Sequence, residues 1–132
     1  AQKQKAWLSN QSFARRFGFE TVDTTSDGYE LLALSLDGTK PRFAPSVTQR
    51  IDDKGLVVYY DMQCPFIPAR VAVLQKYCAE QGILARFVEV DSLAAAKSLP
   101  CVFNNWAVFY GGVFQTVNQL DPAALERILK RK

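Results

Sequence analysis

The sequence predicts an α/β protein: a β-α-β-α-β-β-α unit with a four-stranded mixed sheet, built as a two-layer sandwich and preceded by a helix plus a β-hairpin. Three observations carry this. The run LVVYY (56–60) is short and continuously apolar, as in strands buried on both faces of a sheet. After it, Ile67, Val71, Leu74 and Cys78 recur at helical spacing. Two turn signals, Asp27-Gly28 and Gly111-Gly112, each separate apolar segments of strand character.

The elements follow in order. Residues 9–17 (SNQSFARRF) read as a short helix, with Ser9 or Asn10 as N-cap and Gly18 as its stop. Phe19 to Asp23 and Tyr29 to Leu36 read as the strands of a hairpin around TTSDG. Residues 39–55 carry proline, glycine and no periodic apolar face, and are expected to link a first part, 1–38, to a second, 56–132. In the second part, a proline at 65 or 68 opens the helix whose apolar face was given above, and Gly82 closes it. ILARFVEV (83–90) is the second strand and SLAAAKS (92–98) a short helix. Pro100 precedes CVFNNWAVFY, then Gly111-Gly112 and VFQTV form a strand pair. Asp121 caps and Pro122 opens the last helix, AALERILK.

Composition narrows the function classes. With 48% hydrophobic residues in 132, the chain can build a core without metal or disulfide staples. Its 16 basic and 13 acidic residues are scattered, so no nucleic-acid track is expected. No apolar run approaches the ~20 residues that span a bilayer, and AQKQKAWL holds no signal-like apolar region. A cytoplasmic protein without membrane contact is therefore expected. The absence of histidine removes His-based triads and His metal ligands from this chain, and three cysteines at irregular spacing do not make a disulfide framework.

The chemistry-bearing stretch is YDMQCPFIP (60–68). A cysteine between a strand and a helix start sits where backbone N–H groups and the helix dipole favour thiolate. Position 67, where a resolving cysteine would stand, is Ile67, so a two-cysteine exchange cycle is not expected. Two readings stay open: a monothiol redox or thiol-sensing site on Cys64, or a small residue left at a helix start. Cys78 falls on the buried face of its helix and reads as core. Trp106, Phe109, Tyr110 and Phe114 read as strand packing, and Asp61 as a carboxylate that caps backbone N–H groups of its loop.

The element order, with Cys64-Pro65-Phe66 at the first strand-to-helix junction and Leu99-Pro100 before the third strand, resembles the thioredoxin fold. YYDMQCPF followed by LPCVFNNWAVFYGGVF is similar to the YoaP-type domain found at the C-terminus of certain GNAT acetyltransferases, and SFARRFGFETVDTTSDGYELLAL resembles the last helix and strands of a GNAT fold, with Gly18-Phe19 after the helix. The resemblance implies that 1–38 is a GNAT remnant and that the parent protein is an N-acetyltransferase using acetyl-CoA. The Arg/Gln-x-x-Gly-x-Gly/Ala loop that cradles the CoA pyrophosphate is absent from these residues, and Ala14 stands where many GNAT enzymes place a tyrosine. The chain alone is thus expected to bind no cofactor and to be inactive, with an upstream GNAT domain or a second copy, as a homodimer, for partner. In an intact GNAT domain the helix carrying Arg15 and Arg16 would lie beside the CoA site. The resemblance also implies that Pro65, Phe66, Leu99, Pro100 and Cys101 form a binding surface around Cys64, that the Leu99-Pro100 peptide is cis, and that a Cys64–Cys101 bridge is within reach.

Overall fold

Residues 11–131 are described by the computed structural model of the chain, so the caps expected at Ser9 or Asn10 lie outside the described residues. The chain divides into two compact units, one ending at Phe43 and one beginning at Ala44.

The first unit contains α1 (Gln11–Arg16), β1 (Glu20–Thr24) and β2 (Glu30–Ala33). Gly18 ends the helix with φ 89°, and the N–H groups of Phe17 and Gly18 donate to the carbonyls of Ala14 and Arg15 at 3.0 Å each. The two strands pair antiparallel from Glu20↔Ala33 to Thr24↔Glu30. The predicted turn is present: Gly28 has φ 95° and donates its N–H to the Thr25 carbonyl. The second strand stops at Ala33, short of the expected Leu36. Arg15 fastens helix to hairpin through Thr21 and an ion pair with Glu30 at 3.4 Å. Val22 is buried, Leu31 and Leu32 are half-buried, and Phe13, Phe17, Phe19, Leu34 and Leu36 are exposed.

The second unit contains β3 (Leu56–Tyr60), α2 (Ile67–Glu80), β4 (Ala85–Glu89), α3 (Leu93–Lys97), β5 (Trp106–Tyr110), β6 (Val113–Thr116) and α4 (Pro122–Leu129). Its sheet has the order β4-β3-β5-β6, with β3 parallel to β4 and antiparallel to β5, which is antiparallel to β6. This is the mixed four-stranded sheet expected. Because side chains alternate along a strand, Leu56, Val58 and Tyr60 face one way and meet Tyr110, Val108 and Trp106 in register. That face packs on Ile67, Val71, Leu74 and Cys78 of α2 and on Leu125 and Ile128 of α4. On the other face, Val57 and Phe109 are fully buried, and Phe109 meets Tyr59 and Phe114 edge-on at 6.0 and 5.7 Å.

Local chemistry fixes the ends of the helices. The close of α2 is a Schellman motif: Gly82 at φ 65° lets its own N–H reach the Ala79 carbonyl and the Ile83 N–H the Cys78 carbonyl, at 3.3 and 2.8 Å. Ser92 caps α3 by accepting from the Ala95 N–H, and Asp121 caps α4 by accepting from the Ala124 N–H. The third strand of the unit begins at Trp106, later than CVFNNWAVFY suggested, because the Asn104 carboxamide oxygen takes the Asn105 N–H at 2.6 Å and the Trp106 N–H at 3.3 Å.

The stretch expected as a connector over 39–55 is bonded into the units on either side. Arg42 donates to the Val22 carbonyl and the Phe43 N–H to Asp23 at 2.8 Å. Further on, Arg50 bridges antiparallel to Val113, the Ile51 N–H donates to the Gly112 carbonyl at 2.9 Å, and the Phe114 N–H donates to Gln49 at 3.1 Å. Residues 49–51 thereby cover the outer edge of β6.

One expectation is corrected. No peptide bond among the described residues is cis, so Leu99-Pro100 is trans. The turn is held from outside itself: the Gln49 N–H donates to the Pro100 carbonyl at 2.8 Å, and the Gln49 side-chain oxygen accepts from the Val102 N–H at 2.9 Å.

The β5–β6 turn gives a test. Gly111 and Gly112 have φ 64° and 79°, as a two-residue hairpin loop with positive φ at both positions requires. A Cβ on Gly112 would lie 2.6 Å from the Lys54 amine and 2.7 Å from the Ile51 carbonyl oxygen. Gly112→Ala should therefore lower stability in urea denaturation by at least about 1–2 kcal/mol, and Gly111→Ala, which meets no neighbouring atom, by less.

Candidate functional site

The C-terminal ends of β3 and β4 lie side by side, because the two strands are parallel and Tyr60 is in register with Glu89. Chain reversals beyond them open a cleft of about 740 Å³, lined by Asp61, Met62 and Gln63 after β3, by Glu89 to Leu93 and Ala96 at β4 and α3, and by Phe103 and Asn104 before β5. Crevices outside the carboxyl ends of strands, where chain direction diverges across a sheet, are the ordinary ligand positions of open α/β sheets. Asp61 is 8% exposed; its Oδ1 accepts the Gln63 N–H at 3.0 Å, and its own N–H donates to the Asn105 carbonyl at 3.1 Å. The loop-capping role expected of it is present.

The predicted residues lie beside this cleft and do not line it. Cys64 is half-buried against the α2–α4 core, and its carbonyl accepts the Ile67 N–H at 3.1 Å, closing a turn before the helix. Phe66 is the N-cap of α2, 71% exposed, with no side-chain cap bond, and Pro65 is also exposed. Leu99 and Cys101 are buried, with Pro100 half-buried between them. Cys64, Cys78 and Cys101 are all free thiols. Burial pushes the Cys101 thiol up to about 12 and raises that of Cys78 as well, so both stay protonated at neutral pH.

Two features escaped sequence reasoning. Gln49 is 4% exposed and has φ 58°, a left-handed conformation that favours glycine, yet it anchors the Pro100 turn through both backbone and side chain. Nothing in a polar loop residue announces this. The second is that Glu89 and Asp91, ordinary carboxylates at the end of an apolar strand in the sequence, line one cleft with Asp61. Among the described residues, no group of three or more His, Cys, Asp or Glu is placed to hold a metal ion, and no helix is long and apolar enough to cross a membrane.

Residues 85–127 match the family model described as YoaP-like. Over 130 residues, the chain is 27% identical to the uncharacterized N-acetyltransferase YoaP of Bacillus subtilis (strain 168), covering 96% of this chain and 52% of that protein. The chain thus spans about half the length of this relative. No solved structure is a significant match. The matched residues run from β4 through the cleft and the Pro100 turn into α4, and both findings support a YoaP-type domain.

The thiols and Gln49 each supply a measurement. Alkylation at neutral pH should modify Cys64 ahead of Cys78 and Cys101, read as one label per chain by mass spectrometry. Because the folded Cys101 pKa is raised, its contribution to stability is complete below an unfolded value of about 8.5. It is lost as pH rises from there toward about 12, so Cys101→Ala should flatten the alkaline end of the stability profile. Gln49→Ala leaves the Val102 N–H without its acceptor and should cost about 1–3 kcal/mol in denaturant unfolding.

Proposed function

We propose that the chain is the C-terminal part of a GNAT-type N-acetyltransferase, its second unit a thioredoxin-like accessory domain that recognises the acetyl acceptor. The likeness to an N-acetyltransferase extends over 96% of the chain, both units included. The observation that carries the reading is the state of the first unit. A two-stranded hairpin is marginal in water on its own, and here it leaves Phe13, Phe17, Leu34 and Leu36 exposed, the last at 92%. Apolar side chains concentrated on so small a unit suit a larger sheet that continues from it. The β4-β3-β5-β6 order, with α2 and α4 sharing one face, supports the thioredoxin-like reading of the second unit.

The chain alone is not competent in this reading. Acetyl-CoA binding needs backbone amides that converge on pyrophosphate, and the sequence holds no Gly-rich loop of that kind. Of the two arginines of α1, Arg15 is engaged with Thr21 and Glu30. A monothiol redox or thiol-sensing function is the second reading. Cys64 favours it as the least buried of the three thiols, at the start of α2.

Calorimetry tests the incompetence of the chain alone, and turnover assays separate the two readings. The 132-residue chain should show no saturable heat with acetyl-CoA, and a low-micromolar Kd would overturn the assignment of incompetence. The longer protein should turn over acetyl-CoA, with substitutions in the second unit raising KM for the acceptor while leaving KM for acetyl-CoA unchanged. Disulfide reductase turnover abolished by Cys64→Ser, without any acetyl-CoA dependence, would instead establish the thiol reading.

A further inference from the structure

The two edges of the four-stranded sheet differ. Residues 49–51 cover β6, whereas β4, at the other end of the order β4-β3-β5-β6, pairs with β3 alone among the described residues. The Val90 N–H donates to the Tyr60 carbonyl at 2.7 Å, so Arg86, Val88 and Val90 turn their N–H and C=O groups toward β3. Ala85, Phe87 and Glu89 therefore turn theirs to the open side. The usual devices that blunt an edge are missing from β4: it holds no proline or lysine, its ladder with β3 has no bulge, and Arg86 is paired with Asp53 of its own unit at 3.2 Å. Beside this edge Leu84 is 88% exposed, and a mostly apolar groove of about 310 Å³ runs between Cys78 and Ala79 of α2 and Ala85 and Phe87 of β4.

We propose that β4 is the docking edge for a second copy of this chain, the two β4 strands pairing antiparallel about a two-fold axis at Phe87 so that the two sheets become one. Self-complementarity selects this occupant and its register. With the axis at Phe87, the outward groups at 85, 87 and 89 of each strand meet those at 89, 87 and 85 of the other, and every one finds a partner. Arg86 then lies opposite Val88 of the second copy. An axis at Arg86 would set the two arginines directly against each other, and one at Val88 would place Ala85 opposite Asp91, beyond the strand. Glu89 also lines the cleft, so the second copy's strand stands at the flank of each cleft. The interface does not depend on the acyltransferase reading, and failure of either leaves the other standing.

The test combines sedimentation equilibrium with residue-resolved amide exchange by NMR, both on the full 132-residue chain across a range of concentrations. A monomer–dimer equilibrium is expected. As the dimer fills, exchange at Ala85, Phe87 and Glu89 should slow at least tenfold, while Arg86 and Val88, already bonded to β3, stay slow throughout. Val88→Lys, at a half-buried position, sets a cation opposite Arg86 and should weaken dimerisation at least tenfold. Adding Arg86→Glu to it should restore the dimer, a rescue that a folding defect would not give. Ala85→Pro, which removes an outward N–H and leaves the β3 ladder intact, should weaken the dimer as well. A chain that stays monomeric at the highest concentration, a dimer without slowed exchange at the three outward amides, or a Val88→Lys dimer of unchanged Kd would overturn the proposal. The second of these results would place the contact elsewhere, as on the exposed apolar side chains of the first unit.

Discussion

The second unit depends on β3 being buried on both faces and paired on both edges. Leu56, Val57 and Val58 are each at most 2% exposed, so each contributes about 1.5–3 kcal/mol of burial. No other strand of the sheet binds a parallel neighbour on one side and an antiparallel neighbour on the other. That asymmetry decides where the functional surface lies. The parallel partner brings the ends of β3 and β4 to one edge, and the antiparallel partner brings the start of β5 back to it, so three loops converge at a single rim. A polar residue at Leu56 or Val58 would disturb the packing of α2 and α4 on that face of the sheet.

Much of this was legible in the sequence because the relevant physics is local. The continuous apolar run 56–60, the helical spacing of Ile67, Val71, Leu74 and Cys78, and the helix-end signals at Gly82 and Asp121 each satisfy a requirement a few residues wide, and each appears in the structure. Asp61 was readable as a loop cap for the same reason. Pairing between distant segments was not. Gln49 and Val102 meet only after the sheet has formed, and a polar residue in a proline-bearing loop carries no mark of its eventual burial. The trans Leu99-Pro100 peptide is another such case, since its expectation came from likeness to a fold while its surroundings depend on Gln49.

The candidate site divides in the same way. The sequence drew attention to Cys64 because a thiol before a helix has distinctive chemistry, yet the concave surface next to it is built by residues with commoner side chains. Asp61, Glu89 and Asp91 are individually unremarkable as strand-end carboxylates; only the parallel pairing of β3 with β4 brings them to one cleft. The two thiols away from the helix start, Cys78 and Cys101, are held protonated at neutral pH by their burial.

The covering of β6 by residues 49–51 bears on how the second unit can be excised. A fragment begun at Leu56, where regular structure starts, would strip the N–H and carbonyl partners from Gly112 and Phe114 and remove both anchors of the Pro100 turn. Its β6 would then offer a bare row of unpaired backbone groups, a template for strand addition between molecules. Such a fragment would keep every named helix and strand of the unit and still be prone to associate, whereas one begun at Ala44 retains its own edge protection.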